Sequence, residues 1–257
     1  VYVGPVNKDG LFTILREPAD NFVDIALKGQ NKYGHILFDP NKKGYWIVDH
    51  GPGIPVKPQV YEDERGRKEK LSQFYAATGL THAGSNFDGD TASRGTHGLG
   101  IKCTNALSNV FKVWTFKDGA WYFIEYTKGK LKTDVKKASA PKLPHRVRAK
   151  QGTIIYFEPD YTIFDKGAEL DYNDVVEWCR LTSYLVPNLE VNLTGVNGKT
   201  TTYKSKGINE YIDVQLKKFN AEAMGKTFVH HSVFADIALS FANAEDVAVF
   251  AYTNGLN

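Results

Sequence analysis

The first strong pattern of apolar and polar positions is helical. Over residues 11–28 apolar side chains recur at spacings of three and four, and Gly29 follows as a natural stop. Alternating apolar and polar positions then predict a hairpin over residues 34–48. Pro18 lies inside the predicted helix, where it removes a backbone donor at a usual cost of about 3 kcal/mol. A local rule broken beside charged residues marks this helix as a candidate for function.

The patterns farther along predict a mixture of helices and strands. Helices are expected over residues 68–78, from about 98 to 108, over 171–186 with Asp171 as cap, and over 208–219. Strands are expected at 110–116, 120–127 and 153–160, in a hairpin over 189–204 signalled by Asn197-Gly198, and twice within 227–253. This order predicts the α+β class, a sandwich of helices on one face of a mainly antiparallel sheet. We place a domain boundary at 205/206, so that residues 1–205 form the first domain and 206–257 the start of a second.

Composition excludes several classes of protein. The 257 residues are 42% hydrophobic and 24% charged, which is ordinary for a folded chain and unlike a disordered one. Apolar runs stay well short of the roughly 18 residues that a membrane span needs. Two cysteines, Cys103 and Cys179, are too few for a disulfide framework and suit a reducing cytosol. The chain opens at Val1 without an initiator Met or a signal-peptide pattern, which we interpret as a fragment of a longer protein.

Charge is distributed unevenly. The net charge is only +3, yet residues 128–150 hold nine Lys or Arg residues against one acid, Asp134. The simpler interpretation is a solvated loop that contains Pro141 and Pro144. The alternative is a face for an anionic partner such as DNA, because clustered basic residues favour phosphate binding.

Three polar residues on the first helix could act together. Glu17, Asn21 and Asp24 are four and three residues apart, which places them on one helical face. An amide oxygen such as that of Asn21 can bind a hard cation, and a carboxylate such as Glu17 can accept a proton from water. Asp24 would support the helix. A solvated helix face has the same pattern, so the spacing alone is weak.

Two further segments offer groups that suit a purine. The turn Asp49-His50-Gly51-Pro52-Gly53-Ile54 directly follows a predicted strand, and a carboxylate there can accept a hydrogen bond from an exocyclic amine such as that of adenine. Thr153, at the start of a later strand, has a hydroxyl that could reach the same edge or a bridging water. Taken singly, the first segment is an ordinary Gly/Pro turn and the second an ordinary strand.

A glycine-rich segment precedes the second half of the predicted domain. Residues 95–102 read Gly-Thr-His-Gly-Leu-Gly-Ile-Lys and lead into a helix. Three glycines free backbone N–H groups for phosphate oxygens, and the lysine adds a positive charge. A dinucleotide-binding motif does not fit, because the preceding parallel strand and the later acid are missing. A Walker loop does not fit either, because no Ser or Thr follows the Lys.

Taken in order, these segments resemble the nucleotide-binding fold shared by gyrase, the heat-shock chaperone of ninety kilodaltons, sensor histidine kinases and the MutL proteins, called the GHKL or Bergerat fold. Within it the sequence is most similar to the ATPase region of type IIA DNA topoisomerases. The strings that support this narrower resemblance are Val1–Gly4, Thr81–Asp88, Thr96–Gly100, Asn105–Ser108, Gly152–Asp160 and Ile163–Phe164. The resemblance covers essentially the whole chain, and it implies that residues 206–257 begin a transducer domain.

The resemblance also implies roles for particular residues. Glu17 would be the general base that activates water, and Asn21 would bind Mg²⁺. Asp49 would hydrogen-bond the adenine amino group of ATP, with Thr153 assisting through water. The adenine pocket would be shaped by Gly51, Gly53 and Ile54. The triphosphate would be wrapped by Gly95, Thr96, His97, Gly98, Leu99, Gly100, Ile101 and Lys102, with residues 84–93 as a lid.

Several positions depart from the bacterial pattern. Pro52 stands where an Arg is usual and Ile25 where an acid is usual, so that family salt bridge is missing. Lys102 stands where bacterial members tend to have Ser, which suggests a divergent or phage-type member. The N-terminal arm would lie before Val1 and the switch lysine beyond the chain end. We therefore expect weak dimerisation and slow hydrolysis from these residues alone.

These inferences lead to one main hypothesis about function. ATP binding would close a homodimer that captures double-stranded DNA for strand passage, while a separate subunit or domain would cleave the DNA. We expect a cytoplasmic protein of a bacterial or phage-infected cell, with no membrane partner. Two alternatives stay open, namely a mismatch-repair or chaperone-like ATPase clamp and a nucleotide-gated dimerisation module with little hydrolysis.

Overall fold

The structure is a computed structural model that describes residues 4–41, 43–62, 66–80, 99–232, 235–244 and 246–252. Its helices are α1 (Lys8–Leu27), α2 (Gln73–Gly79), α3 (Gly100–Ala106), α4 (Tyr172–Leu185) and α5 (Ile208–Lys218). Its strands are β1 (Tyr33–Phe38), β2 (Tyr45–Asp49), β3 (Pro58–Glu62), β4 (Lys68–Ser72), β5 (Ser108–Lys117), β6 (Ala120–Thr127), β7 (Lys130–Ala138), β8 (Thr153–Pro159), β9 (Glu190–Thr194), β10 (Thr200–Tyr203), β11 (Phe228–His231) and β12 (Asp236–Leu239). The α+β class is therefore confirmed.

One sheet of eight strands organises the fold. Its order is β10-β9-β1-β2-β8-β5-β6-β7, and every neighbouring pair is antiparallel except β1 with β9. The pairs β3–β4 and β11–β12 form two separate hairpins. Because β8 comes between β2 and β5, the ends of these three strands meet at one place although they lie far apart in sequence.

The helices pack on one side of the large sheet, which we call the inner face. Ile14 and Phe22 of α1 and Phe74 of α2 are buried there with Phe111 and Ile124 of the sheet. α1 begins where the Asn7 side chain accepts a hydrogen bond from the Asp9 N–H at 2.8 Å, a standard helix cap. Burial of apolar stripes from several helices on one strand face is the main stabilising contribution.

The opposite side of the sheet, which we call the outer face, has a small core of its own. Leu37, Val48 and Ile154 are buried there beneath three partly buried tryptophans and the residues that follow β7. Residues 139–150 cross this face, and we call them the strap. Within the described residues, no helix combines the length and apolar character needed to cross a bilayer.

Most predicted elements are confirmed, and two predictions were wrong. Residues 68–72 were expected to begin a helix but form β4, whose partner β3 was not predicted at all. The basic segment was expected to be a solvated loop, but its first half is β7, the edge strand of the large sheet. Both strands are mostly exposed, so the apolar alternation that marks a half-buried strand is weak in them.

Candidate functional site

The proline inside α1 has a specific structural consequence. Pro18 has no N–H to donate to the carbonyl of Ile14, four residues earlier. That carbonyl instead accepts a hydrogen bond from the Thr104 hydroxyl of α3 at 2.9 Å, in a buried position. The free carbonyl in α1 thus provides a tie to α3, and α3 is the helix that follows the glycine-rich segment.

This tie brings the side chain of Glu17 against the beginning of α3. A Cβ built on Gly100 would overlap the Glu17 carboxylate oxygen Oε2, so only a glycine leaves room for it. Burial is the largest cause that raises the pKa of Glu17, and the negative charge of Asp20 adds to it. A carboxylate that is partly desolvated and raised in pKa is a better proton acceptor than an exposed one.

Asn21 lies one turn after Glu17 and is half-buried. Asp24, a further turn along, is buried. Asp20 is buried as well, with an ion pair from its Oδ2 to Arg16 Nε at 3.5 Å. The helix therefore places Glu17 and Asn21 on one side, as the spacing predicted, beside more deeply buried acids.

The predicted purine acceptor, Asp49, ends β2 and is 6% exposed. Its Oδ1 accepts hydrogen bonds from the N–H groups of Gly51, at 2.8 Å, and Thr153, at 3.1 Å. The Thr153 hydroxyl also hydrogen-bonds this carboxylate. Burial raises the pKa of Asp49 to about 6, although these hydrogen bonds act in the opposite direction. Asp49 and Thr153 are thus brought together across 104 residues of sequence.

The loop after Asp49 is held against β5. The N–H of Ile54 donates to the Thr115 hydroxyl at 2.6 Å, and a Cβ on Gly53 would overlap the carbonyl of Phe116. Gly53 also has a φ of +70°, which favours glycine. Thr115 was missed in the sequence, although a polar residue at a buried position of an apolar strand was a usable signal.

Gly152 completes this corner. It has a φ of +99°, a Cβ there would overlap the carbonyl of Asp49, and its own carbonyl accepts from the Phe116 N–H at 2.9 Å. Three strand ends therefore fix the orientation of the Asp49 carboxylate. The glycines at 51, 53 and 152 serve this close approach of backbones.

The glycine-rich segment is described only in part. Gly95, Thr96, His97 and Gly98, and the expected lid at 84–93, lie outside the described residues. Leu99 caps α3, while Gly100, Ile101 and Lys102 form its first turn. Lys102 is only 6% exposed, and burial lowers its pKa to about 8. It would still carry its charge at neutral pH in most molecules.

The site offers few ligands for a metal ion of its own. Among the described residues, no group of three or more His, Cys, Asp or Glu side chains could hold a metal. The amide oxygen of Asn21 beside the Glu17 carboxylate does fit a Mg²⁺ ion that takes most of its ligands from phosphates and water. The donor set is therefore compatible with a metal–nucleotide complex and incompatible with a permanently bound structural metal.

A cavity of about 450 Å³ lies elsewhere, where α1 begins beside α4 and α5. Phe12, Trp178, Tyr184 and Tyr211 are among its lining residues, and none of the predicted nucleotide contacts lines it. It is a different place from the corner formed by Glu17, Asp49 and Gly100.

Comparison with known structures identifies the class of fold. The ATPase domain of Thermus thermophilus gyrase B, solved in complex with an aminocoumarin, superposes with a TM-score of 0.71 and 23% identity, over 90% of this chain and 57% of that one. The chain therefore has the gyrase-type α+β ATPase fold that the motifs implied. No protein-family model matches the sequence.

Sequence comparison points to a particular protein within this class, DNA gyrase B. The relative from Thermotoga maritima is 32% identical over 216 residues, or 82% of this chain and 31% of its own length. That from Metamycoplasma hominis is 29% identical over 275 residues, or all of this chain and 39% of its own. The resemblance to the ATPase region of type IIA topoisomerases is confirmed, and the chain spans about a third of the length of these relatives.

Proposed function

We propose that this chain is the ATP-binding and ATP-hydrolysing part of a type II DNA topoisomerase. The observation that carries the proposal is the contact of the Glu17 carboxylate with Gly100 at the start of α3. It places a proton acceptor where the backbone N–H groups of a helix N-terminus can face an anion. The similarity to gyrase B supports the assignment.

The adenine end of the nucleotide would bind at the corner of β2 and β8. Asp49 is held by two backbone N–H donors, so its carboxylate is oriented before any ligand arrives. An ionised carboxylate accepts a hydrogen bond from an exocyclic amine, and the adjacent Thr153 hydroxyl can hold a bridging water. Gly51, Gly53 and Ile54 would bound the pocket.

The triphosphate end would lie between α1 and α3. Mg²⁺, when bound with ATP, neutralises charge that develops on the phosphates. Asn21 would hold that ion through its amide oxygen, and residues 95–102 would contact the phosphates, with Lys102 supplying a positive charge. Glu17 would orient the attacking water and accept its proton, and its raised pKa suits this role.

The larger proposal concerns the whole protein. In it, ATP binding pairs two subunits, and the closed pair captures a DNA duplex for passage through a break made elsewhere. The similarity to gyrase B favours this over a mismatch-repair or chaperone-like clamp. Relaxation of supercoiled DNA by the longer protein, dependent on ATP, is the activity that separates these possibilities.

The decisive experiment on the site is Glu17→Gln. This change keeps the size of the side chain and removes its ability to accept a proton. We expect ATP turnover to fall about 100-fold or more, the usual contribution of a general base, while ATP affinity changes little. Turnover is followed by phosphate release and affinity by titration with a fluorescent ATP analogue.

The matched control is Glu177→Gln, which changes an exposed glutamate of α4. It should leave both quantities unchanged. Turnover by Glu17→Gln equal to that of the control would remove Glu17 as the base. Failure of the unchanged protein to bind the ATP analogue would remove the nucleotide site itself.

A further inference from the structure

The positive charge of this chain is concentrated in one segment. Residues 128–150 contain nine basic residues and one acidic residue. Because the whole chain has 32 basic and 29 acidic residues, 23 basic and 28 acidic ones remain outside this segment. The rest of the protein is thus net acidic, and the segment is a separate region of opposite charge.

The strap is held to the outer face by its apolar side chains. Leu143, Val147 and Ala149 pack against the cluster of Leu37, Val48 and Ile154, together with nearby tryptophans. The basic side chains of the strap alternate with these anchors and are all exposed, namely Lys142, Arg146, Arg148 and Lys150. Their backbone positions are therefore fixed by packing, which differs from a loose basic loop.

The edge strand β7 adds lysines on the same side. Lys132 forms an ion pair with Glu125 at 3.1 Å, and Lys136 lies 5.8 Å from the centre of the Phe123 ring. Phe123 contacts Trp114, which belongs to the outer-face cluster. Lys132 and Lys136 therefore lie on the outer face beside the strap.

We propose that β7 and the strap form one cationic face that binds the phosphate backbone of double-stranded DNA. Exposed, regularly placed Lys and Arg side chains bind a duplex by releasing condensed counterions and need no base contacts. The choice of DNA as the polyanion rests on the proposed function. The face lies across the sheet from Glu17 and Asp49, so DNA and nucleotide can be bound together.

A membrane surface is a poorer match for this face. Stable binding to a bilayer needs apolar side chains that enter it, in addition to positive charge. Here Leu143, Val147 and Ala149 are used within the protein. Leu131, at 43% exposure, is the exposed large apolar side chain of residues 128–150.

The test is a variant that neutralises the strap, with Lys142→Gln, Arg146→Gln, Arg148→Gln and Lys150→Gln combined. Binding of a short fluorescent duplex is measured by anisotropy at several salt concentrations, without nucleotide. The slope of log affinity against log salt should become shallower by about 4, since each phosphate contact contributes about one. Affinity at physiological salt should fall at least about tenfold.

The matched control neutralises four exposed lysines on other elements, Lys32, Lys70, Lys166 and Lys217, and should keep nearly all DNA affinity. ATP-analogue binding should survive in both variants, because neither touches the nucleotide corner. Equal DNA affinity in the two variants would overturn the proposal. Tighter binding to vesicles of anionic lipid than to DNA, lost in the strap variant, would overturn it too and assign the face to membranes.

Discussion

The two faces of the large sheet use polar groups in opposite ways. On the inner face, Asp49 and Thr104 are buried, and each has a specific hydrogen-bond partner. On the outer face, the charged ends of Lys142 and Arg148 are exposed, while apolar neighbours hold the chain in place. Burial shifts pKa values and orients groups for chemistry, whereas exposure lets many charges meet a long polyanion. One sheet can therefore carry both kinds of site without competition between them.

The largest effect that separates the faces is expected from Gly100→Ala. The added methyl group would overlap the Glu17 carboxylate and displace it from α3. A shift of about 1 Å in a catalytic group costs about 100-fold in rate, so turnover should fall at least that far. DNA binding by the outer face should be unchanged, as measured by anisotropy.

Gly225→Ala is the matched control, because a Cβ there meets no atom within 4 Å. It should preserve turnover. If Gly100→Ala turns over ATP as fast as this control, the contact between Glu17 and α3 has no catalytic role.

An intermediate effect is expected from Asp49→Asn. The asparagine can still accept from Gly51 and Thr153, but its NH₂ group would face the adenine amine. ATP affinity should fall about tenfold or more, since the loss of one buried hydrogen bond costs about 1–3 kcal/mol. In the unchanged protein, affinity should also fall as the pH is lowered through about 6, where the carboxylate is protonated.

The same substitution should change stability in the opposite direction. The pKa of Asp49 is raised in the folded protein, from 3.8 to about 6, so ionisation destabilises the fold as the pH rises between these values. At pH 7, Asp49→Asn should therefore increase the free energy of unfolding, by about 1–3 kcal/mol. The gain should vanish below about pH 4 in denaturant titrations. Exposed Asp118→Asn should show no such pH dependence, and a loss of stability at pH 7 would contradict the burial effect.

Sequence patterns predicted the inner face better than the outer one. The apolar stripe of α1 and the turn after Asp49 are local features, so spacing and resemblance located Glu17 and Asp49 before the fold was known. The pairing of Thr104 with Ile14 spans 90 residues, and no local pattern encodes it. β7 was missed because an exposed edge strand rich in lysine lacks the apolar alternation of a covered one.

The smallest effect, and the most specific, concerns the tie between α1 and α3. Thr104→Val keeps the shape of the side chain but leaves the carbonyl of Ile14 without its donor, which should destabilise the fold by about 1–3 kcal/mol. Turnover should fall several-fold, because Glu17 depends on the same packing. Pro18→Ala restores a backbone N–H that can reach Ile14, so adding it to Thr104→Val should recover much of the loss. The four proteins of this double-mutant cycle are compared by denaturant unfolding and phosphate release. Strictly additive free energies would mean that Pro18 and Thr104 act independently, and that the proline in α1 has no part in holding α3 against Glu17.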